Sequence, residues 1–213
     1  MKNQANNELV ELESFYRPKN ILTKQLVSTQ YVVPLTGPIG EIHEYGELVS
    51  ILAHAREDDQ VYIQLSSPGG NLETCDYLCR RMDECAAPIT VEIGMNCASA
   101  ASAIALQADD WVIYDSSTMM IHSCSYSPGY GKESDIRSGV EFTKRLNQEW
   151  IERTYQGFLI DEEIFEAIEY GKDLYFYADD LRERMPLFKK YRNQCKAQKI
   201  KKIMQYWQQQ EAA

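Results

Sequence analysis

Cys97-Ala98-Ser99-Ala100-Ala101-Ser102 sets two serines in a run of small residues, and His122 ends the apolar run Thr118-Met119-Met120-Ile121 just downstream. A serine hydroxyl is a weak nucleophile until a neighbouring base takes its proton, so a serine turn and a histidine at a strand end supply the groups that acyl transfer requires. A third stretch could stabilise the oxyanion. Ser66-Ser67-Pro68-Gly69-Gly70 closes the strand-like run Val61-Tyr62-Ile63-Gln64-Leu65, and glycines, lacking a Cβ, let backbone N–H groups turn toward a ligand oxygen. On residue chemistry alone these are the parts of a serine peptidase, with either Ser99 or Ser102 as nucleophile.

The base is better defined than the acid. His43 and His54 fall on a predicted helix ahead of the Pro-Gly-Gly turn and read as ordinary core or surface residues. His122 ends a strand, where its ring points toward the serine turn, and suits a general base that later protonates the leaving amine. The acid that fixes the imidazole tautomer is sought among Asp173, Asp115, Asp179 and Asp180, of which Asp173 follows a predicted helix end at Gly171.

Alternating elements must position these groups. Strands are expected at Tyr31–Leu35, Val61–Leu65, Ile89–Ile93, Trp111–Tyr114, Thr118–His122 and Leu174–Tyr177. Between them, Leu72, Cys75, Cys79, Met82 and Cys85 recur at helical spacing, and His43–Ala55 and the alanine-rich Ala98–Ala108 read likewise. A long polar helix is expected over about Glu133–Gln156, and a short one from Asp161 as N-cap to Tyr170, with Gly171 as C-cap. Strand–helix–strand order predicts an α/β fold with a mostly parallel sheet. No internal repeat, low-complexity segment or interdomain linker breaks it.

The 213 residues, 44% of them hydrophobic, suffice for one sizeable core. There is no apolar run of membrane-spanning length, and the polar start Met1-Lys2-Asn3-Gln4 carries no export signal, so a cytoplasmic location is expected. The six cysteines lack paired zinc-site spacing and read as ordinary thiols; no metal or cofactor is expected. Net charge is −10, but the stretch from residue 188 to 210 holds Lys189, Lys190, Arg192, Lys196, Lys199, Lys201 and Lys202 without an acid; −10 less these seven leaves −17 elsewhere. A basic arm on an acidic body reads as a solvated helix satisfied by an acidic neighbour, with docking to nucleic acid or another protein as the sharper alternative.

Several blocks, in order, resemble the proteolytic subunit of the Clp protease, including Clp-like peptidases encoded by phages. The resemblance runs from about Tyr31 to about Met185. Val33-Pro34-Leu35-Thr36-Gly37 is similar to the family's first core strand, and Tyr62 to Gly70 to its oxyanion-hole strand and turn. Ala98-Ser99-Ala100-Ala101-Ser102 resembles the nucleophile turn and Met119-Met120-Ile121-His122 the base. Gly129-Tyr130-Gly131 with Asp135-Ile136 resembles the glycine-rich lead into the handle helix, and Glu169 to Ala178 the region of the acid. The resemblance implies Ser99, His122 and Asp173 as triad, the N–H groups of Gly70 and Ala100 as oxyanion hole, and Gly69, Gly129, Tyr130 and Gly131 along the bound peptide as an added strand. One departure is local: Gly94 stands one residue too far before the serine turn, and Cys97 replaces an alanine.

The resemblance further implies a Clp/crotonase-like repeated β-β-α core with a protruding handle helix. Residues 30–186 would form the peptidase domain, with handle 133–156, behind an N-terminal axial or docking segment 1–29 and ahead of a basic tail 187–213. It implies an ATP-dependent endopeptidase acting on unfolded proteins or peptides inside two stacked heptameric rings served by an AAA+ unfoldase, without membrane or nucleic-acid partners. Because a helix over 133–156 is about 36 Å long, its apolar positions Ile136, Val140, Phe142, Leu146, Trp150 and Ile151 are expected to need a partner chain. The alternatives are a capsid-maturation or signal-peptide-peptidase-like protease of the same fold, distinguished by substrate, and an inactive assembly subunit, distinguished by its failure to react with a fluorophosphonate. A crotonase-like acyl-CoA enzyme would not require serine, histidine and aspartate in this order.

Overall fold

Val61, Ile63, Leu65 and Ser67 are buried while the intervening Tyr62, Gln64 and Ser66 are half-buried or exposed, the period-two signature of a strand with one covered face. In the computed structural model, which describes residues 28–211, this is β2 (Gln60–Ser67), flanked by β1 (Gln30–Thr36) and β3 (Ile89–Ala98) and parallel to both. The first half of β3 pairs with β4 (Asp110–Ile113), its second half with β5 (Thr118–Ile121), again in parallel. β6 (Leu174–Tyr177) closes the sheet antiparallel to β5, so the order is β1-β2-β3-β5-β6 with β4 beside β3. The mixed α/β, mostly parallel sheet expected from the sequence is present.

Helices follow the strands. They are α1 (Gly46–His54), α2 (Leu72–Glu84), α3 (Ala100–Gln107), α4 (Glu133–Tyr155), α5 (Asp161–Glu169) and α6 (Ala178–Glu211), with one 3₁₀ turn, Ile42–Tyr45, ahead of α1. Asn71 starts α2 by accepting the Thr74 N–H at 3.0 Å, which satisfies one of the four donors a helix leaves open at its start. α3 is buried all round. Ala100, Ala101, Ala103 and Ala105 add so little volume that it lies close against the sheet, under α2 and the end of α4. Val61, Ile63, Ile89, Val91, Ile93, Ile104 and Ile121 are 0–1% exposed, and each such aliphatic side chain removed from water stabilises the fold by about 1.5–3 kcal/mol.

Among the described residues, no helix covers the opposite sheet face. Val32 is 55% exposed, and Tyr62 and Gln64 donate to Glu92, at 2.9 and 3.3 Å. Parallel sheets are normally clothed on both faces; polar side chains here let the second face meet water.

Five local expectations change. β3 runs on to Ala98 instead of stopping at Ile93, because its register with β2 shifts: Leu65 pairs with Ile93 but Ser67 with Cys97. The displaced glycine, Gly94, sits in this bulge, where a Cβ would meet Leu65 O at 2.8 Å and Ser66 Cβ at 3.0 Å. Ile160, not Asp161, is the N-cap of α5; the Glu163 carboxylate accepts the Ile160 N–H at 3.0 Å. Tyr170 is its C-cap, and Gly171 follows at φ +60°. Trp150 and Ile151, expected to await a partner chain, are 8% and 0% exposed and belong to the chain's own core, whereas Phe142 (69%) and Leu146 (45%) project outward. Finally, the boundary expected at 186/187 lies inside α6, which continues through Pro186. Leu181, Met185 and Phe188 are buried on either side and hold the helix across the hydrogen bond that proline cannot make.

The basic arm is thus the second half of a helix that begins on the body. Lys189 reaches Asp110 at 3.0 Å and Lys196 reaches Asp109 at 3.5 Å, while Arg192 donates to the carbonyls of Leu106 and Ala108 at the end of α3. Beyond that, Ile200, Ile203, Met204 and Trp207 are exposed. The expected N-terminal segment, Phe15-Tyr16-Arg17-Pro18 included, falls almost wholly outside the described residues. Among the described residues, no helix is long and apolar enough to cross a membrane.

Candidate active site

Strand register brings the three candidate side chains together. Ala98 at the end of β3 pairs with Met120 of β5, so the next residues, Ser99 and then His122, emerge at adjoining carboxyl ends. On the other side of β5, Ile121 pairs with Leu174 in the antiparallel sense, and the residue before Leu174 is Asp173. His122 therefore has Ser99 on one flank and Asp173 on the other. Its Nε2 lies 2.8 Å from Ser99 Oγ, and its Nδ1 lies 3.7 Å from Asp173 Oδ1. The first is a hydrogen bond; the second is longer than one. Asp173, about half exposed, also accepts the Tyr175 hydroxyl at 3.4 Å.

The rival carboxylates are elsewhere. Asp115 and Asp179 both engage Arg182, at 2.5 and 3.1 Å, and Asp180 accepts the Tyr177 N–H at 2.9 Å at the start of α6.

Ser99 is the one non-glycine residue with positive φ among those described, at φ +56° and ψ −126°. An L-residue is held there at a cost of about 1–3 kcal/mol only when its neighbours over-determine it, and each does so here. The Ser99 N–H donates to Met120 O at 2.8 Å, and the Ser99 carbonyl accepts both the Ser102 N–H at 2.9 Å and the Ser102 hydroxyl at 2.6 Å. A sharp strand–serine–helix turn of this kind lifts the hydroxyl clear of the sheet. Ser102, the competing nucleophile of the sequence reading, is fully buried and spends its one proton on the Ser99 carbonyl.

The Pro-Gly-Gly turn packs directly on this serine. A Cβ at Gly69, whose φ is +91°, would meet Ser99 Cβ at 2.6 Å and Ala100 N at 2.9 Å. Gly70 pairs with Ile39 through a bridge that uses the N–H groups of Ile39 and Asn71, and this leaves the Gly70 N–H out of the ladder. Ala100 opens α3, so its N–H is one of the helix's free first-turn donors. Gly129, Tyr130 and Gly131 lie in irregular exposed chain between β5 and α4, and among the described residues no hydrogen bond ties them to the serine turn. The chain leaving His122 is anchored instead by Cys124, whose N–H donates to Asn147 on α4 at 2.9 Å, and by Ser123, whose hydroxyl donates to Ala167 O on α5 at 2.6 Å.

Beneath the serine lies a group that sequence reasoning passed over. Tyr155, 1% exposed at the end of α4, places its hydroxyl 2.9 Å from Ser102 Oγ. Burial pushes that phenol well above its ordinary value, and likewise the Cys97 thiol. The Cys75 thiol, raised by its hydrogen bond with Cys79 and by burial, donates to Ala100 O at 3.2 Å. A tyrosine closing an amphipathic helix carries the same signal as any core aromatic, so only the three-dimensional contact reveals it.

The family model for Clp protease matches residues 22–178, a span that contains Ser99, His122 and Asp173 and stops at the first residue of α6. No curated protein matches the chain. A match over most of the chain, on a fold of the same class, leads to one conclusion: this protein belongs to the Clp protease family and is a peptidase of the serine type.

Proposed function

We propose that the chain is an endopeptidase in which Ser99 is the nucleophile, His122 the general base and Asp173 the acid that orients it. The observation that carries this reading is the 2.8 Å contact between His122 Nε2 and the hydroxyl of a serine held at positive φ. As Ser99 Oγ attacks a peptide carbonyl, its proton passes to His122 Nε2, and the negative oxygen that forms takes hydrogen bonds from the N–H groups of Gly70 and Ala100. His122 then gives its proton to the departing amine, and water repeats the sequence on the acyl-enzyme. Asp173 Oδ1 accepts the Nδ1 proton once the 3.7 Å separation closes to about 3 Å; catalytic hydrogen bonds commonly tighten only with substrate bound.

The wider reading is a chambered enzyme of the cytoplasm. Two stacked rings of seven enclose the sites, an AAA+ unfoldase feeds them, and unfolded chains bind along Gly69 and the segment Gly129-Tyr130-Gly131 as an added strand. Family membership and the outward-facing Phe142 and Leu146 on α4 support it. Ser99→Ala is expected to abolish hydrolysis of a fluorogenic peptide, by about 10⁶ in kcat, and to stop fluorophosphonate labelling, with the thermal midpoint nearly unchanged. If Ser99→Ala retains activity and Ser102→Ala loses it, the triad is wrongly assigned.

A further inference from the structure

The hydroxyl of Tyr155 is buried, and among the described residues its hydrogen-bond partner is Ser102 Oγ at 2.9 Å. Counting protons fixes the direction of the chain they form. Ser102 owns a single hydroxyl proton, and its 2.6 Å contact to the Ser99 carbonyl can be made only by donating that proton, since a carbonyl oxygen has none to give. Ser102 Oγ must then accept from Tyr155. The sequence is Tyr155 O–H to Ser102 O–H to Ser99 C=O, each bond polarising the next.

We infer that Tyr155 is a positioning residue for the nucleophile, acting through Ser102 to hold the Ser99 peptide in its strained conformation with Oγ aimed at His122. The inference rests on Ser99 being the nucleophile. Without the chain, two forces still oppose each other at Ser99. Its N–H remains tied to Met120 O, while the carbonyl keeps only the Ser102 N–H, at 2.9 Å. The peptide plane can then rotate toward an ordinary φ, which swings Oγ off the 2.8 Å line to His122 Nε2. Because that line sets proton transfer and not peptide binding, the effect belongs to kcat and leaves KM alone. Burial keeps the Tyr155 phenol protonated across the working range, so its loss changes the height of the pH–rate profile and not its shape.

The tests are Tyr155→Phe, Ser102→Ala and the pair together in the full chain, read by kcat and KM on a fluorogenic peptide, by the fluorophosphonate labelling rate and by the thermal midpoint. Each single variant removes one oxygen. Tyr155→Phe is expected to lower kcat and labelling rate by about tenfold, and Ser102→Ala by about tenfold to a hundredfold, with KM unchanged, for geometric misplacement of this kind. The double variant should be no slower than Ser102→Ala, because Tyr155 acts only through Ser102. Wild-type kcat in Tyr155→Phe, a change confined to KM, or losses that multiply in the double variant would each overturn the inference. If Tyr155→Phe does not fold, Ser102→Ala carries the same test, and wild-type kcat and labelling there overturn it equally. Ser99→Ala run alongside separates the two claims. If it is inert while Tyr155→Phe is fully active, only the positioning role fails; if it still hydrolyses, both fail.

Discussion

A methyl group at Gly69 would sit 2.6 Å from Ser99 Cβ and 2.7 Å from Ala98 O, on backbone at φ +91°. Neither obstacle can yield without moving the serine, since Ala98 is locked in β3 and the Ser99 peptide is held at both its N–H and its carbonyl. Gly69→Ala is therefore expected to lose about 1–3 kcal/mol of stability from backbone strain and about a hundredfold in kcat from the displaced hydroxyl, measured by chemical denaturation and peptide hydrolysis. Gly139, in the exposed run of α4 with nothing near its absent Cβ, gives the opposite result. There Gly139→Ala should gain about 0.5–1 kcal/mol, as glycine in a helix interior costs backbone entropy, with activity intact. If both alanines act alike, the crowding at Gly69 is not what its glycine serves.

Among the elements, β1 is fastened at its entry by a buried carboxylate. Asp59, 3% exposed, accepts the Arg56 N–H at 2.9 Å and the Thr29 N–H at 2.8 Å, fastening the chain before β1 to the turn before β2. These backbone donors, the Arg56 one foremost, lower its pKa to about 2. An unfolded aspartate titrates near 3.9, so this contribution is whole above about pH 4 and disappears as pH falls toward 2. Asp59→Asn should lower the thermal midpoint at neutral pH and converge on the wild type in acid; a constant gap from pH 7 to pH 2 would contradict the linkage. The strands themselves were legible because Val61, Ile63 and Leu65 or Leu174 and Phe176 alternate so plainly. The far half of β3 was not, as Gly94 and Asn96 are poor strand formers and conceal a bulged continuation. The boundary at 186/187 follows the end of the resemblance near Met185, whereas burial of Met185 and Phe188 on either side of Pro186 carries α6 straight through it. At the site, His122 stands out by chemistry, while the choice of Ser99 over Ser102 and of Asp173 over its rivals comes from the family resemblance; the β5–β6 register that sets Asp173 beside His122 is encoded in no local pattern.

At the scale of the whole molecule, α4 packs on the body along only part of its length. Ile136 and Val140 are half-buried, and Trp150, Ile151 and Tyr155 finish in the core. Phe142 and Leu146 lie one helical turn apart, 69% and 45% exposed. For a chain of a ring-forming family, this pair is the place to break assembly without unfolding the subunit. Phe142→Glu with Leu146→Glu should yield smaller species by light scattering and weaker hydrolysis, because charges would be buried unpaired at the contact, with the subunit's circular dichroism unchanged. An unaltered particle mass would show that α4 meets no partner through these residues. The position of β6 adds a consequence in time. Asp173 is delivered by the last strand of the sheet, after α4 and α5 have been made, and that strand must then insert against β5. A chain still being synthesised carries its serine and histidine long before its aspartate. On the proposed triad, peptide cleavage awaits the closing of the sheet, and the nascent enzyme is kept harmless by its own order of assembly.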